Sequence, residues 1–242
     1  PHDSHRRQRQ MCIRDSSHPI DDYPLFNSYI KIVEEIYRGS KFGKFKRTGY
    51  KERNQFLKMG PSETNQLSDY LNKKHDTNFQ WSFDFFHSCT PLVLHTDYVI
   101  DREGFEIVAG CIIPLNWNCK QPYTLNFNKV QQEPRKLMYR PDFTSKYPQA
   151  EMRYLDNKDE LVNYITKGIP CPGIEQYVPK TCEMYEQMKD IEIESVYKWE
   201  IGTYMLFDTR RWHSSSWYSR FNTFEESTED YKRSVIGFAK HK

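Results

Sequence analysis

The stretch PLVLHTDYVI, residues 91–100, is a run of strand-forming residues interrupted by His95 and Asp97. In an extended strand alternate side chains share a face, so His95 and Asp97 point to one side and Thr96 to the other. The pair alone is weak evidence for a site, because a chain with 8 histidines and 33 acidic residues contains about one His-x-Asp/Glu by chance. A buried histidine hydrogen-bonded to a neighbouring strand, beside an aspartate that begins a turn, is the structural alternative.

The composition excludes several classes of partner. The 35 Lys and Arg residues against 33 Asp and Glu leave a net charge of +2, so bulk electrostatics indicate neither nucleic acid nor a membrane surface. No run approaches the roughly 18 apolar residues that span a bilayer, and the N-terminus lacks a signal-peptide core. The 6 cysteines form no CxxC pair, which predicts reduced thiols. We therefore expect a soluble, cytoplasmic protein.

The first residues differ in composition from the rest of the chain. Residues 1–20 are basic, polar and without periodicity, and they contain QRQMCIRDS, which resembles read-through of sequencing adaptor in environmental sequence assemblies. We predict that they form a disordered, non-native tail and that residues 21–242 form a single domain.

Within that domain, helical patterns come first and short strand patterns follow. Because helices precede a run of strands, the order predicts a mainly β sandwich or barrel with flanking helices. A long polar segment between the strands is expected to serve as a lid or wall over a site. The predicted parts are a helical region over 21–79, a β core over 80–129 and 196–242, and the insertion over 130–195.

The C-terminal half strengthens the case for His95 and Asp97. His213 follows an apolar strand in GTYMLFDTRRWHS, and Arg233 lies on the last predicted strand, in YKRSVIGFA. Two neutral imidazoles and one carboxylate bind Fe(II) on one side and leave the opposite positions open for a chelating co-substrate and oxygen. An arginine supplies a forked, always charged donor for a distal carboxylate of that co-substrate.

Five stretches, LHTDY, IIPLNW, YTLNF, GTYMLFDTRRWHS and KRSVIGFA, resemble the Fe(II)/2-oxoglutarate-dependent oxygenase superfamily, and within it small oxygenases from phage and marine environmental sequences. They extend over about residues 91–240. The resemblance implies a double-stranded β-helix, a cupin-like jelly roll that binds iron at its open end. It implies these roles on this chain: His95, Asp97 and His213 as metal ligands, Arg233 as the partner of the 2-oxoglutarate C5 carboxylate, and Thr124 as a residue lining the same pocket.

The last strand departs from the pattern of the superfamily. Many relatives have Arg-x-Ser or Arg-x-Thr there, whereas in this chain Ser234 follows Arg233 directly and Val235 takes the second position. Lys232 shares a strand face with Ser234 and is the alternative co-substrate residue. We prefer Arg233.

The resemblance also implies a reaction. Relatives that halogenate carry a small residue in place of the carboxylate, so Asp97 favours a hydroxylase that uses O2 and 2-oxoglutarate to oxidise a small molecule or a side chain. Two alternatives stay open: a non-catalytic jelly-roll binding or structural module, and a cupin-like metalloenzyme without oxygen chemistry. Arg210 and Arg211 are either surface charge or partners of an anionic group at the mouth of the barrel.

Overall fold

The computed structural model describes residues 16–39, 54–101, 103–131, 136–139, 152–155, 174–182, 184–189, 191, 193–223 and 230–242. These residues form mainly antiparallel β-sheet with helices on one side. The helices are α1 Tyr23–Gly39, α2 Pro61–His75 and α3 Tyr185–Met188, with a short 3-10 helix at Ile174–Gln176. The strands are β1 Ser16–Pro19, β2 Asn54–Lys58, β3 Phe79–Ser88, β4 Ile107–Trp117, β5 Tyr123–Val130, β6 Lys136–Tyr139, β7 Met152–Leu155, β8 Ile193–Lys198, β9 Thr203–Asp208, β10 Arg211–Ser215 and β11 Lys232–His241.

Two antiparallel sheets form the barrel. The large sheet has the strand order β1-β9-β4-β11-β3-β2 and the small sheet the order β10-β5-β8, while β6 and β7 form a separate parallel pair. His95 and His213 exchange both backbone hydrogen bonds at 2.9 Å, which adds the segment between β3 and β4 to the small sheet. The chain thus passes back and forth between the sheets, with β11 inserted between β3 and β4. This winding is that of a jelly roll, as the sequence predicted.

The two helices α1 and α2 cover the outer face of the large sheet. Phe26 and Tyr29 of α1 and Leu67 and Leu71 of α2 are buried in one cluster with Phe83 of β3. Each such side chain contributes about 1.5–3 kcal/mol when it leaves water. Because this face packs on helices, the opposite face of the same strands is left to line the interior of the barrel.

Residues 16–20 correct the predicted extent of the tail. Ser16–Pro19 forms β1, which pairs with β9 at the edge of the large sheet, and Ile20 is buried. An edge strand offers free backbone hydrogen-bonding groups, which pair with an extended neighbour whatever its side-chain pattern. Residues 1–15 lie outside the described residues.

Two further sequence boundaries differ from the structure. The pattern of VYKWEIGTYMLFD, residues 196–208, predicts one strand, but the structure divides it between β8 in the small sheet and β9 in the large sheet. Gly202 between them has a φ of 85°. A positive φ favours glycine and lets the chain turn sharply from one sheet to the other. The region 21–79, predicted to be helical, also contains β2, which pairs with β3.

The described residues between 174 and 191 of the predicted insertion form a wall behind the small sheet. The buried residues of this part, Ile174, Val178, Cys182, Met184, Met188 and Ile191, cluster with Leu125, Phe127 and Trp212 of the small sheet. These sheet residues alternate with those that face the barrel interior, so the segment packs on the outer face. The helical pattern NKDELVNYIT, residues 157–166, lies outside the described residues. Among the helices that are described, none has the length and apolar character needed to cross a bilayer.

Candidate metal centre

The structure brings together the three side chains that the sequence predicted as metal ligands. His95 and Asp97 lie on the segment between β3 and β4, and His213 lies on β10 directly opposite His95. All three are buried, and one ligand atom from each lies within 4.8 Å of the other two. The Asp97 Oδ2 atom is 3.3 Å from Nε2 of His213 and 3.9 Å from Nε2 of His95.

Backbone carbonyls determine which nitrogen of each imidazole faces the centre. Nδ1 of His95 lies 2.7 Å from the carbonyl oxygen of Val93, and Nδ1 of His213 lies 3.0 Å from that of Arg211. A carbonyl only accepts, so Nδ1 donates in both cases and Nε2 is the nitrogen that each ring directs toward Asp97.

The three atoms that face the centre, two Nε2 atoms and one carboxylate oxygen, fit a divalent metal ion. Ligand atoms about 2.1 Å from one ion lie roughly 3–4 Å from each other, which matches the distances within this group. Two Nε2 lone pairs and a carboxylate directed at one point are stabilised by a cation between them. Two histidines and one carboxylate are the donor set that suits Fe(II) and leaves coordination positions open.

The centre borders a cavity of about 220 Å³ between the two sheets. On the small-sheet side, His95, Asp97, His213 and Thr124 line the cavity. The resemblance implied Thr124 as a residue of the co-substrate pocket, and its Oγ1 accepts a 3.0 Å hydrogen bond from Nε1 of Trp199. The Thr124 hydroxyl can therefore still donate one hydrogen bond to a molecule in the cavity.

Lys232 is the cation that lines this cavity from the large sheet. Its side chain is 2% exposed, and Nζ donates a 2.8 Å hydrogen bond to Ser215 Oγ. Nζ also lies 4.2 Å from the ring centroid of Trp199 and 4.9 Å from that of Tyr218. Burial lowers the pKa of the Lys232 ammonium group from its ordinary value of 10.5 to about 7, against a smaller opposing effect of Cys119. Among the ion pairs of the described residues, none includes Lys232.

Ser234 lies on the same face of β11 as Lys232. It is 1% exposed and lines the cavity, and its Oγ has no hydrogen-bond partner within the described structure. A buried hydroxyl without a partner costs free energy unless a ligand satisfies it. An ammonium group and a hydroxyl that share one wall form a site for an anionic group.

Arg233 lies on the opposite face of β11. Its Nε donates a 3.1 Å hydrogen bond to Nδ1 of His87, and its guanidinium lies 4.1 Å from the ring centroid of Tyr231. It is not among the residues that line the cavity. The structure therefore puts Lys232 inside and Arg233 outside, the reverse of the preferred sequence assignment, because alternate residues of a strand face opposite sides.

The sequence contained a signal for Lys232 but none for its neighbours. Lys232-x-Ser234 has the same spacing as the Arg-x-Ser pattern described above. Nothing in the sequence marked the residues that contact Lys232, because they come from other parts of the chain: Trp199, Ser215 and Tyr218.

The two arginines that precede His213 in the chain, Arg210 and Arg211, have carboxylate partners. Arg210 makes a bidentate pair with Asp208, with Nε and Nη2 donating at 3.0 and 2.6 Å. Arg211 pairs with Glu194. Of the two roles left open by the sequence, surface charge agrees with these pairs, since each guanidinium already has a counter-ion.

No family model matches this chain, and no curated protein matches it. Its structure is similar to several solved structures at 8% sequence identity. One is a prolyl-4-hydroxylase from Pseudomonas putida, with a TM-score of 0.45 over 94% of this chain and 92% of that chain. Another is the non-heme alpha-ketoglutarate-dependent carbocyclase SnoK from nogalamycin biosynthesis, with a TM-score of 0.49 over 94% and 79%. A third is HygX from Streptomyces hygroscopicus with nickel and 2-oxoglutarate bound, with a TM-score of 0.44 over 94% and 82%.

The alpha-ketoglutarate on which SnoK depends and the 2-oxoglutarate bound to HygX are the same compound.

Proposed function

We propose that this chain is an Fe(II)/2-oxoglutarate-dependent dioxygenase that hydroxylates a small molecule or a side chain. The observation that carries the proposal is the convergence of His95, Asp97 and His213 on one point at the edge of a cavity. The same cavity holds a buried cation and a buried hydroxyl without a partner, which suit an anionic co-substrate.

His95, Asp97 and His213 would hold the iron. Bound there with 2-oxoglutarate, Fe(II) would supply the activation of O2 that converts the co-substrate to succinate and CO2 while the substrate gains the second oxygen atom. The carbonyls of Val93 and Arg211 keep both imidazoles in the tautomer that offers Nε2 to the metal. Asp97 keeps a carboxylate in the ligand set, which supports hydroxylation over halide transfer.

Lys232 and Ser234 would bind the C5 carboxylate of 2-oxoglutarate, with Thr124 as a further donor from the small sheet. The Lys232 ammonium group has no carboxylate partner among the described residues, so a dianionic ligand would provide the counter-charge. Trp199 and Tyr218 pack on the ammonium group and exclude water, which strengthens its attraction for a carboxylate. We therefore assign the co-substrate role to Lys232 in place of Arg233.

The proposal is tested by adding Fe(II) and 2-oxoglutarate to the protein without oxygen. We expect a weak visible charge-transfer band, and we expect succinate when oxygen is admitted. The variant His213→Ala removes one ligand and should abolish both signals. The matched control His241→Ala replaces an exposed histidine at the end of β11 and should retain both.

The same experiment separates the alternative functions. A folded protein that binds neither metal nor 2-oxoglutarate would be a jelly-roll binding or structural module. A protein that binds metal through His213 but forms no succinate with any substrate would be a metalloenzyme without oxygen chemistry. Either result overturns the proposed function.

A further inference from the structure

We propose that the substrate of this site is an uncharged compound with a flat apolar face, which stacks on the aromatic pair Phe56 and Phe86 at the edge of the cavity. This inference rests on the proposed function, because it assigns a role to the part of the cavity that the proposed metal and co-substrate do not occupy. It concerns the walls that the described residues form.

The aromatic pair is formed by two neighbouring strands of the large sheet. Phe56 of β2 lies directly opposite Phe86 of β3, and their rings stack with centroids 4.7 Å apart and planes inclined by 30°. Both residues line the cavity. Phe86 is 4% exposed, whereas Phe56 is 58% exposed. A large aromatic ring left open beside a cavity indicates a binding surface, because its exposure to water is costly unless a ligand covers it.

The apolar wall continues along β11 past Ser234, which lies directly opposite Phe86. Ile236 and Phe238 follow Ser234 on the same strand face, and all three line the cavity. Four residues of strand extend about 13 Å, so Phe238 lies well beyond the point where Ser234 would bind a carboxylate. Phe207 of β9 lines the same cavity and approaches the metal centre, with its ring centroid 4.9 Å from that of His213. An apolar surface therefore runs from the cavity edge to the proposed metal ligands.

Charge distinguishes this surface from the rest of the cavity. Of the described residues that line the cavity, only Asp97 and Lys232 carry a formal charge. In the proposed function Asp97 binds the metal and Lys232 binds the co-substrate. A charged group of the substrate would then lose its hydration without meeting an opposite charge on these walls. The remaining walls favour a neutral, flat molecule that brings a C–H bond toward the metal centre.

The test uses three probes that share one ring system and differ only in charge. These are 2-naphthalenemethanol, which is neutral, 2-naphthoate, which is an anion, and 2-naphthylmethylammonium, which is a cation. Binding of each to the protein loaded with Fe(II) and 2-oxoglutarate is measured by calorimetry without oxygen. We expect the neutral probe to bind at least about tenfold more tightly than either ion, as the cost of burying an unpaired charge predicts.

Two variants of the edge strand locate the binding surface. Phe56→Ser removes the open ring and should weaken binding of the neutral probe roughly fivefold to tenfold. The matched control Leu57→Ser changes a partly exposed apolar residue of the same strand that does not line the cavity, and it should change binding by less than about twofold. Phe56→Leu keeps an apolar side chain without the ring and should give an intermediate affinity.

The outcomes distinguish this inference from the proposed function. If the Fe(II) and 2-oxoglutarate band forms but an ionic probe binds as tightly as the neutral one, the inference on substrate class is overturned and the proposed function stands. It is equally overturned if Phe56→Ser retains the band and the wild-type affinity for the neutral probe. If the band never forms in the wild-type protein, the proposed function itself fails.

Discussion

The two walls of the cavity differ in how their side chains are held. On the small sheet, the proposed metal ligands are tied to the backbone: His95 and His213 exchange main-chain hydrogen bonds, and each imidazole donates to a nearby carbonyl. On the large sheet, Lys232 is held by one serine and two aromatic rings, and Ser234 has no partner in the described structure. The imidazoles of the first wall are fixed by backbone hydrogen bonds, whereas the second wall contains a hydroxyl that a ligand would satisfy.

This difference suggests a division of roles. A metal ligand must be positioned within a few tenths of an ångström, and backbone hydrogen bonds provide that rigidity. A binding wall retains groups that are satisfied only when the ligand arrives, and such groups reduce the stability of the free protein. Substitutions on the small sheet should therefore affect metal binding, and substitutions on the large sheet should affect the co-substrate and stability.

The largest effect is expected on the small sheet. Asp97→Asn keeps the shape of the side chain but removes its charge, and it should weaken Fe(II) binding by more than roughly 100-fold, since even changes behind the ligands cost 10–100-fold. Calorimetry without oxygen measures the affinity. The control Asp84→Asn changes a carboxylate of β3 that does not line the cavity and pairs with Lys58, and it should bind Fe(II) normally. Equal losses of Fe(II) affinity in both variants would contradict the proposed difference between the two walls.

The next effect separates two neighbouring residues of the large sheet. Lys232→Met should raise the KM for 2-oxoglutarate by roughly 10–100-fold, because a hydrogen bond to a charged group contributes about 1.5–3 kcal/mol. Arg233→Met should change it by less than about threefold, since its side chain lies outside the cavity. Succinate formation at varied co-substrate concentration measures KM, and Fe(II) affinity should be unchanged in both variants. The opposite order would restore the assignment to Arg233.

The third effect follows from the lowered pKa of Lys232. With a pKa of about 7, the lysine of the free protein is increasingly neutral as the pH rises, so binding an anion requires protonation. Affinity for 2-oxoglutarate should fall about tenfold for each pH unit above 7. Calorimetry between pH 6 and pH 9 measures this slope, and Lys232→Arg, which stays charged, should abolish it. A wild-type affinity that stays constant over this range would be evidence against the role of Lys232.

The same pKa predicts a change in stability with a defined sign. The folded-state pKa of Lys232, about 7, lies below its ordinary value of 10.5, so between these pH values the unfolded chain holds a proton that the folded protein lacks. The Lys232 contribution therefore increases the free energy of unfolding as the pH rises from about 7 toward 10.5. Denaturant unfolding at pH 7 and pH 9 measures it as the difference between the wild-type protein and Lys232→Met, which lacks the titrating group. If the free energy of unfolding changed by the same amount between pH 7 and pH 9 in both proteins, the prediction would be contradicted.

The smallest effect concerns the hydroxyl beside Lys232. Ser234→Ala should weaken co-substrate binding by about fivefold, the value of one hydrogen bond, and should raise the free energy of unfolding of the free protein slightly, since a buried hydroxyl without a partner disappears. Calorimetry and thermal unfolding measure the two quantities. Ser82→Ala is the control, because Ser82 of β3 is exposed and does not line the cavity, and it should change neither. A loss of stability in Ser234→Ala would show that the hydroxyl is already satisfied.

The proposed metal ligands were predictable because two local patterns agreed. The extended period predicted for residues 91–100 puts His95 and Asp97 on one face, although the structure forms only isolated bridges there, at His95 and Ile100. His213 follows a strand that the sequence marks clearly. The proposed co-substrate residue was harder to predict, because Lys232 and Arg233 are neighbours of similar charge and the choice depends on which face of β11 is internal. The position of Phe56 at the cavity was not predictable, since β2 lay in a region where the sequence indicated helices.

The sequence by itself determined the types of residue available and which of them share a strand face. These properties depend on the local period of the backbone, which extends over only a few residues. Tertiary structure alone decided which face became internal, since α1 and α2 cover the outer face of the large sheet and leave Lys232 and Ser234 turned toward the small sheet. It also decided that Ser16–Pro19 joins a sheet edge and that Phe56 reaches the cavity. Such pairings join segments distant along the chain, and their free energy comes from burial and hydrogen bonds that exist only once the sheets have assembled.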